Sequence, residues 1–170
     1  MGLAIYEIVG TPGEWRIRHD GRTDNIYETK ESAFEAAITA ASLALRQGHE
    51  MINAGDLDGF LAILSPDVVW EEAYLGVDIR SYRGREGVRE WWETGAEAME
   101  ESHWEIVRVL ASSQDAIVAE VRYTGRGVGS GAEVTARLFQ AIRLRHDGLA
   151  DYVGGFPDAS QALEAVGLSE

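Results

Sequence analysis

A chain of 170 residues is long enough for one domain with a substantial core and a small appendage. Hydrophobic residues at 45% and charged residues at 26% are ordinary for a globular protein, and the lack of cysteine excludes disulfides, zinc–thiolate sites and thiol nucleophiles. A net charge of −14 repels phosphate backbones and anionic bilayers, so neither nucleic acid nor a membrane is an expected partner; no apolar run is long enough to span a bilayer, no leader segment is evident, and the expected location is cytoplasmic.

The chain opens with two short strand-like runs, residues 3–9 and 14–19, joined by the turn signal "GTPG" (Gly10–Gly13). A second turn, "HDGRTDN" (His19–Asn25), leads into a brief third strand, "IYE". Thr29 is a candidate helix cap, with Ser32 and Glu35 as an alternative capping box. A stripe through Phe34, Ala37, Ile38, Ala41, Leu45, Met51 and Ile52 then predicts one long helix, weakened at Gly48 and stopped by "NAGD" with Gly55 as a left-handed cap. Asp56 caps a second helix with Leu57, Phe60, Leu61 and Leu64 on one face, and Pro66 ends it.

A strand is expected from Val68 to Tyr74, followed by a turn and a third helix in "YRGREGVREWWETGAEAME", with Val88, Trp91, Trp92, Gly95, Ala96 and Met99 at helical spacing. Three long strands follow, at about 103–110, 116–124 and 133–145, linked by "ASSQD" and the hairpin "GRGVGSG". "RHDG" turns the chain into a last strand at 149–156, and Asp158 caps a short final helix with Gly167 beyond its end.

Side-chain parity singles out two polar residues. In "DVVWEEAYLG", Val68, Trp70, Glu72 and Tyr74 share one strand face while Glu71 takes the other. A carboxylate among large aromatic groups loses hydration, which is how proteins prepare a general acid or base. An ion pair with Arg80, Arg83 or Arg85 would place the same residue just as well. Gln140 is the one polar group in the row Val134, Ala136, Leu138, Gln140, Ile142, Leu144; a buried amide needs partners, supplied by a ligand, by water, or by Tyr74, Tyr123 or another neighbour.

The element order, and the stretches "NAGDLDGFLAILSPDVVWEE", "YRGREGVREWW", "GRGVGSGAEVTARLFQAIRLRHDGLADYVGGFPD" and "ALEAVGL", resemble the SnoaL-like polyketide-cyclase branch of the nuclear-transport-factor-two-like superfamily over about residues 42–168. That resemblance implies an α+β fold: a cone-shaped, curved antiparallel sheet wrapped by helices, with an apolar pocket at its wide end. The strand position that carries the Asp general base in ketosteroid isomerase corresponds to Glu72 in "VWEEA", and that of the oxyanion-stabilising Asp, counted back from "IRLRHDG", to Gln140. The isomerase tyrosine position falls on Gly48, so its full constellation is broken and steroid isomerisation is not expected. Residues 1–41 are set apart from the cone at 42–170; they resemble a small strand-strand-strand-helix domain of unknown function, joined to the cone through the long helix and resting on Ala33, Phe34, Ala37 and Ile38 through Ile5, Ile8, Trp15, Ile17 and Ile26.

Two functions follow from the resemblance. One is a cofactor-independent lyase, isomerase or cyclase acting on an apolar carbonyl or epoxide compound, with Glu72 as base and Gln140 polarising the substrate. Trp70, Tyr74, Trp91, Tyr123, His103 and Met51 would then line the pocket, with His103 either a proton carrier or a rim residue. The other is a non-catalytic binding or assembly module. His19, His49 and His146 fall in turns or at a helix end, and no two histidines have ligand spacing, so no metal is expected. A homodimer is expected through the outward row Arg137, Phe139, Ala141 and Arg143.

Overall fold

The computed structural model of the chain describes residues 6–19, 22–73 and 79–169. Tyr74, Ile5 and the side chains of Ala37 and Ile38 lie outside the described residues. Strands β1 (Tyr6–Thr11), β2 (Glu14–His19) and β3 (Arg22–Tyr27) form a small antiparallel sheet in that order. Helix α1 (Lys30–Ile38) starts at Thr29, whose hydroxyl accepts from the Ser32 N–H at 3.0 Å, so Thr29 is the cap in use.

The single long helix expected over 34–52 is two helices. At Thr39 the backbone is extended (φ −76°, ψ 141°) and the hydroxyl accepts from the Ser42 N–H, opening α2 (Ala40–Ala54). A threonine that satisfies a first-turn amide favours a new helix start over an unbroken one. Gly55 ends α2 at φ 72°, where a residue with a Cβ would be strained, and Asp56 caps α3 (Leu57–Ala62).

The rest of the chain builds the main sheet: β4 (Leu64–Glu72), β5 (Arg80–Arg83), α4 (Gly84–Ala98), β6 (Met99–Ser112), β7 (Ala116–Gly127), β8 (Glu133–Leu144), β9 (Ala150–Phe156) and α5 (Ala159–Ala165). Leu64 and Met99, expected at helix ends, open strands instead. The six strands run in the order β5-β4-β9-β8-β7-β6 in one curved, unclosed sheet, antiparallel throughout except for the parallel pair β4–β9. No helix among the described residues is long and apolar enough to cross a membrane.

The inner face of this sheet holds the main core. Leu45, Phe60, Val68, Trp70, Val88, Val121, Leu138 and Ile142 pack there, closed over by α2, α3 and α4. The outer face carries a second cluster in which Phe139, Ala141, Tyr152 and Phe156 pack with Ala162 and Leu163 of α5. The row expected as a bare dimer face is thus half covered within the chain: Phe139 and Ala141 are buried, Arg137 and Arg143 exposed. The small sheet rests on α1 and on the edge strand β6, with Ile17, Tyr27 and Ala33 buried against Ile8, Trp15 and Val109.

Strand β6 does not keep one parity. Register shifts between Ile106 and Arg108, and again between Val109 and Ala111, put Trp104, Ile106 and Val109 opposite the inward residues Tyr123, Val121 and Ala119 of β7. Each bulge inserts a residue and resets the face of those after it, so simple alternation along this strand misassigns Val109.

Candidate functional site

Strand β4 is buried at Val68, Trp70 and Glu72 and half-buried at the residues between, so its alternation turns the Glu72 carboxylate inward. Glu72 is 5% exposed and accepts a short hydrogen bond from the Trp91 indole N–H. Trp91 is on α4, and that helix is tied to β4 at its start: the Arg85 guanidinium donates from Nε and Nη2 to the Leu64 carbonyl at 2.9 and 2.6 Å. The neighbouring Glu71 faces the other way and accepts from the Tyr152 hydroxyl at 2.8 Å; burial first, then this bond, push the Tyr152 hydroxyl well above its ordinary value.

Glu72, Gly155 and Gln140 stand in one cross-strand row, Glu72 opposite Gly155 on β9 and Gly155 opposite Gln140 on β8. Two strand spacings put Glu72 and Gln140 roughly 10 Å apart at the backbone. Directly opposed residues point to the same face, and the middle residue is glycine, so β9 places no side chain between the carboxylate and the amide.

Gln140 is 6% exposed, and its Oε1 lies 2.7 Å from Nε2 of His49, itself 5% exposed. With the proton on Nε2, the imidazole donates to the amide oxygen and the amide nitrogen keeps both hydrogens for another acceptor. The placement of His49 corrects the sequence expectation: it is not in a turn or a helix end but on the inward side of α2. Ala41 and Leu45, both buried, stand eight and four residues before it on the same helix, and that spacing was its signal; Gly48 beside it masked the stripe.

The interior is packed with rings. Trp70 and Trp91 approach to 4.2 Å between centroids, Phe60 meets Trp70 edge-on at 5.8 Å, and Trp104 links Trp91 at 6.4 Å to Tyr123 at 4.8 Å. The cavity left among Leu45, His49, Trp70, Gln140, Ile142 and Val153 is only about 20 Å³, the space of one water. A much larger groove of about 700 Å³ lies on the other side of His49, between the small sheet, α2 and β6.

The remaining expected site residues divide between these regions. Trp70, Trp91, Tyr123 and Met51 belong to the inner packing, Met51 half-buried near the end of α2 and the Tyr123 hydroxyl 2.9 Å from Ser102 Oγ. His103 is exposed and lines the outer groove, not the inner cavity. Among the described residues no group of three or more His, Asp or Glu converges as a metal-ligand set.

The SnoaL-like domain family matches residues 45–152. No curated protein matches the chain at significance. Among solved structures, RV0760c from Mycobacterium tuberculosis, in complex with estradiol-17beta-hemisuccinate, is similar at a TM-score of 0.63 and 22% identity over 72% of this chain and 96% of that one. Delta 5-3-ketosteroid isomerase from Mycobacterium sp. is similar at 0.62 and 18% identity over 74% and 97%. The epoxide hydrolase/cyclase-like enzyme SalBIII, described for pyran ring formation in polyether salinomycin, is similar at 0.58 and 18% identity over 68% and 88%. At these identities the likeness is one of fold.

Proposed function

The chain belongs to the SnoaL-like domain family, and from that premise we propose that it is a small-molecule pocket protein acting as a cofactor-independent lyase, isomerase or cyclase on an apolar carbonyl or epoxide compound, with Glu72 as general base. The observation that carries the reading is the row Glu72–Gly155–Gln140: a buried carboxylate and a buried amide on one face, with a glycine between them. A carbonyl oxygen near the Gln140 amide nitrogen would receive a hydrogen bond as negative charge develops on it, while Glu72 removes the proton from the adjacent carbon. His49 would act as a positioning residue by fixing the amide's orientation through the 2.7 Å contact. Trp91 would do the same for the carboxylate. The apolar rings of Trp70, Trp91, Trp104 and Tyr123, together with Met51, favour an apolar substrate. Steroid-bearing and cyclase-like fold neighbours agree with that class without naming a compound.

The test is a thermal-shift screen of apolar cyclic ketones and epoxides on wild type and Glu72→Gln, followed by proton NMR of α-hydrogen exchange into deuterated water or of epoxide opening. Compounds that raise the melting temperature of both proteins but react only on wild type carry the reading. Equal reaction rates on both would remove Glu72 as base.

The 20 Å³ cavity favours a second reading, in which the cone is a packed scaffold and the protein a non-catalytic binding or assembly module. A screen with no stabilising compound, joined to unchanged stability of Glu72→Gln, would select it. In either reading a homodimer would use the part of the outer sheet face beyond α5, around Arg137 and Arg122; a monomer mass by light scattering at micromolar concentration would rule that pairing out.

A further inference from the structure

Glu72 and Gln140 are linked twice. One route runs along the sheet through Gly155. The other is an arch of three rings: Trp91 donates its indole N–H to Glu72, Trp91 and Trp104 stand 6.4 Å apart, Trp104 and His49 also 6.4 Å apart, and His49 meets Gln140 at 2.7 Å. The cavity beside this arch has room for one water, so a substrate that reaches both the carboxylate and the amide must displace a ring. We propose that the ring is Trp91: its indole is a gate that occupies the substrate's place on Glu72 and swings outward to admit a flat, bicyclic-sized apolar carbonyl compound. This rests on the reading of Glu72 and Gln140 as the two ends of the site, with Trp91 positioning the carboxylate only while the gate is closed.

The other two rings of the arch are held in place. The Trp104 backbone exchanges two hydrogen bonds with the Asn53 amide, both at 2.8 Å, and its ring lies 4.8 Å from that of Tyr123. His49 is 5% exposed and bonded to Gln140. Trp91 is half-buried, and its one polar group is spent on Glu72.

The helix around Trp91 carries a glycine one turn to either side, at a cost in helix propensity. Gly87 is required by packing, since a Cβ there would stand 3.2 Å from Tyr82. Gly95 is not: a Cβ would meet no described atom within 4 Å, and its φ is not positive. Side chains on a helix lean toward its N-terminus, so any side chain at 95 would lie back over Trp91. Glycine there keeps the outer side of the indole clear.

The indole also describes its replacement. It is a flat bicyclic group with one polarised hydrogen aimed at the carboxylate, and its ring centre lies 4.2 Å from that of Trp70. When it leaves, a planar ketone can lie against Trp70 with an acidic C–H toward Glu72.

Calorimetry with 1-indanone, together with fluorine NMR of the full chain labelled with 5-fluorotryptophan, tests the gate. Saturable binding to the wild type is expected. At saturation the Trp91 signal, identified by its loss in Trp91→Phe, is expected to gain the solvent isotope shift of an exposed ring, while that of Trp70 does not. Trp91→Ala, with no gate to open, is expected to bind about tenfold more tightly, with Trp91→Leu in its place should it fail to fold. Gly95→Leu lays a side chain over the indole at an exposed position; it is expected to weaken binding about tenfold in the wild-type background and to leave binding by Trp91→Ala unchanged. No saturable binding, a Trp91 signal that stays shielded in the saturated protein, or an equal effect of Gly95→Leu with and without Trp91 would each overturn the gate. None of these readouts needs a proton to be removed. A Glu72→Gln variant that reacts as fast as wild type would therefore remove the base and leave the gate standing, and a shielded Trp91 in a saturated, reacting protein would do the reverse.

Discussion

His49 and Gln140 are 91 positions apart in the chain and meet at 2.7 Å, joining helix α2 to strand β8 by a buried hydrogen bond. Removing one partner takes this bond from a buried polar group of the other, at a cost of about 1–3 kcal/mol, whereas removing both with apolar residues of similar shape is far milder. His49→Ala or Gln140→Ala alone is therefore expected to destabilise the fold by about 1–3 kcal/mol, and His49→Leu with Gln140→Leu together by clearly less than the sum of the single leucine variants. Urea denaturation of the four corners of that double cycle is the measurement. Additive losses would mean that the bond couples nothing.

A second prediction concerns pH. Burial pushes the Glu120 carboxyl upward, but the hydrogen bonds and charges of Arg108 and Arg137 outweigh this and hold it below its ordinary value. A carboxyl depressed by folding stabilises the protein above its unfolded pKa, roughly 4.3, and that contribution is lost as pH falls through the lower folded value. Glu120→Gln is expected to lower stability at pH 7 and to flatten the loss below roughly pH 4.3. Unfolding free energies of both proteins from pH 7 downward decide it; parallel curves would contradict the linkage.

Helix α5 covers the outer aromatic cluster, and Leu163, 4% exposed, is buried in it. Leu163→Ala is expected to cost about 2–5 kcal/mol and to loosen the cover over Phe139, Tyr152 and Phe156. Denaturation gives the first effect, and light scattering the second, as an increased tendency to self-associate.

Deleting residues 1–28 removes Ile17 and Tyr27 from their cluster and uncovers Ala33 and Val109. Among the described residues the main core draws on none of those deleted, so the truncated chain is expected to keep a cooperative transition while losing solubility or a few degrees of melting temperature. Size exclusion and circular dichroism test this. Loss of all cooperative unfolding would show that the small sheet belongs to the main core.

The strands around Glu72 and Gln140 were legible because both are uninterrupted and one-sided: alternation along Val68–Glu72 and Leu138–Leu144 assigns the inner face without knowledge of neighbours. The caps at Thr29, Gly55 and Asp158 were legible because each is a local hydrogen-bond or φ requirement. Thr39 was not, because a lone threonine within an apolar stripe reads equally as a helix residue until its bond to Ser42 is seen. Val109 was missed because a bulge resets parity with no sequence mark of its own. His49 and the outer groove depend on contacts between distant segments, and helical spacing alone gives their face but not what stands opposite.

The parallel pairing of β4 with β9 bears on the order in which the molecule assembles. Strands β6 to β9 are joined by successive hairpin connections, so their ladders close over short loops. Glu71 and Tyr152, on β4 and β9, are brought together across 81 positions, and the whole of α4 and four strands lie between them. Contacts so far apart in sequence carry the largest loop-closure entropy and slow the folding of the chains that need them. The step that seats β4 beside β9 is also the one that completes the row Glu72–Gly155–Gln140 by adding Glu72. The β8–β9 hairpin therefore holds only half of the candidate site, Gln140 opposite Gly155, and a partly folded chain with β6–β9 already paired would carry the amide without the Glu72 carboxylate.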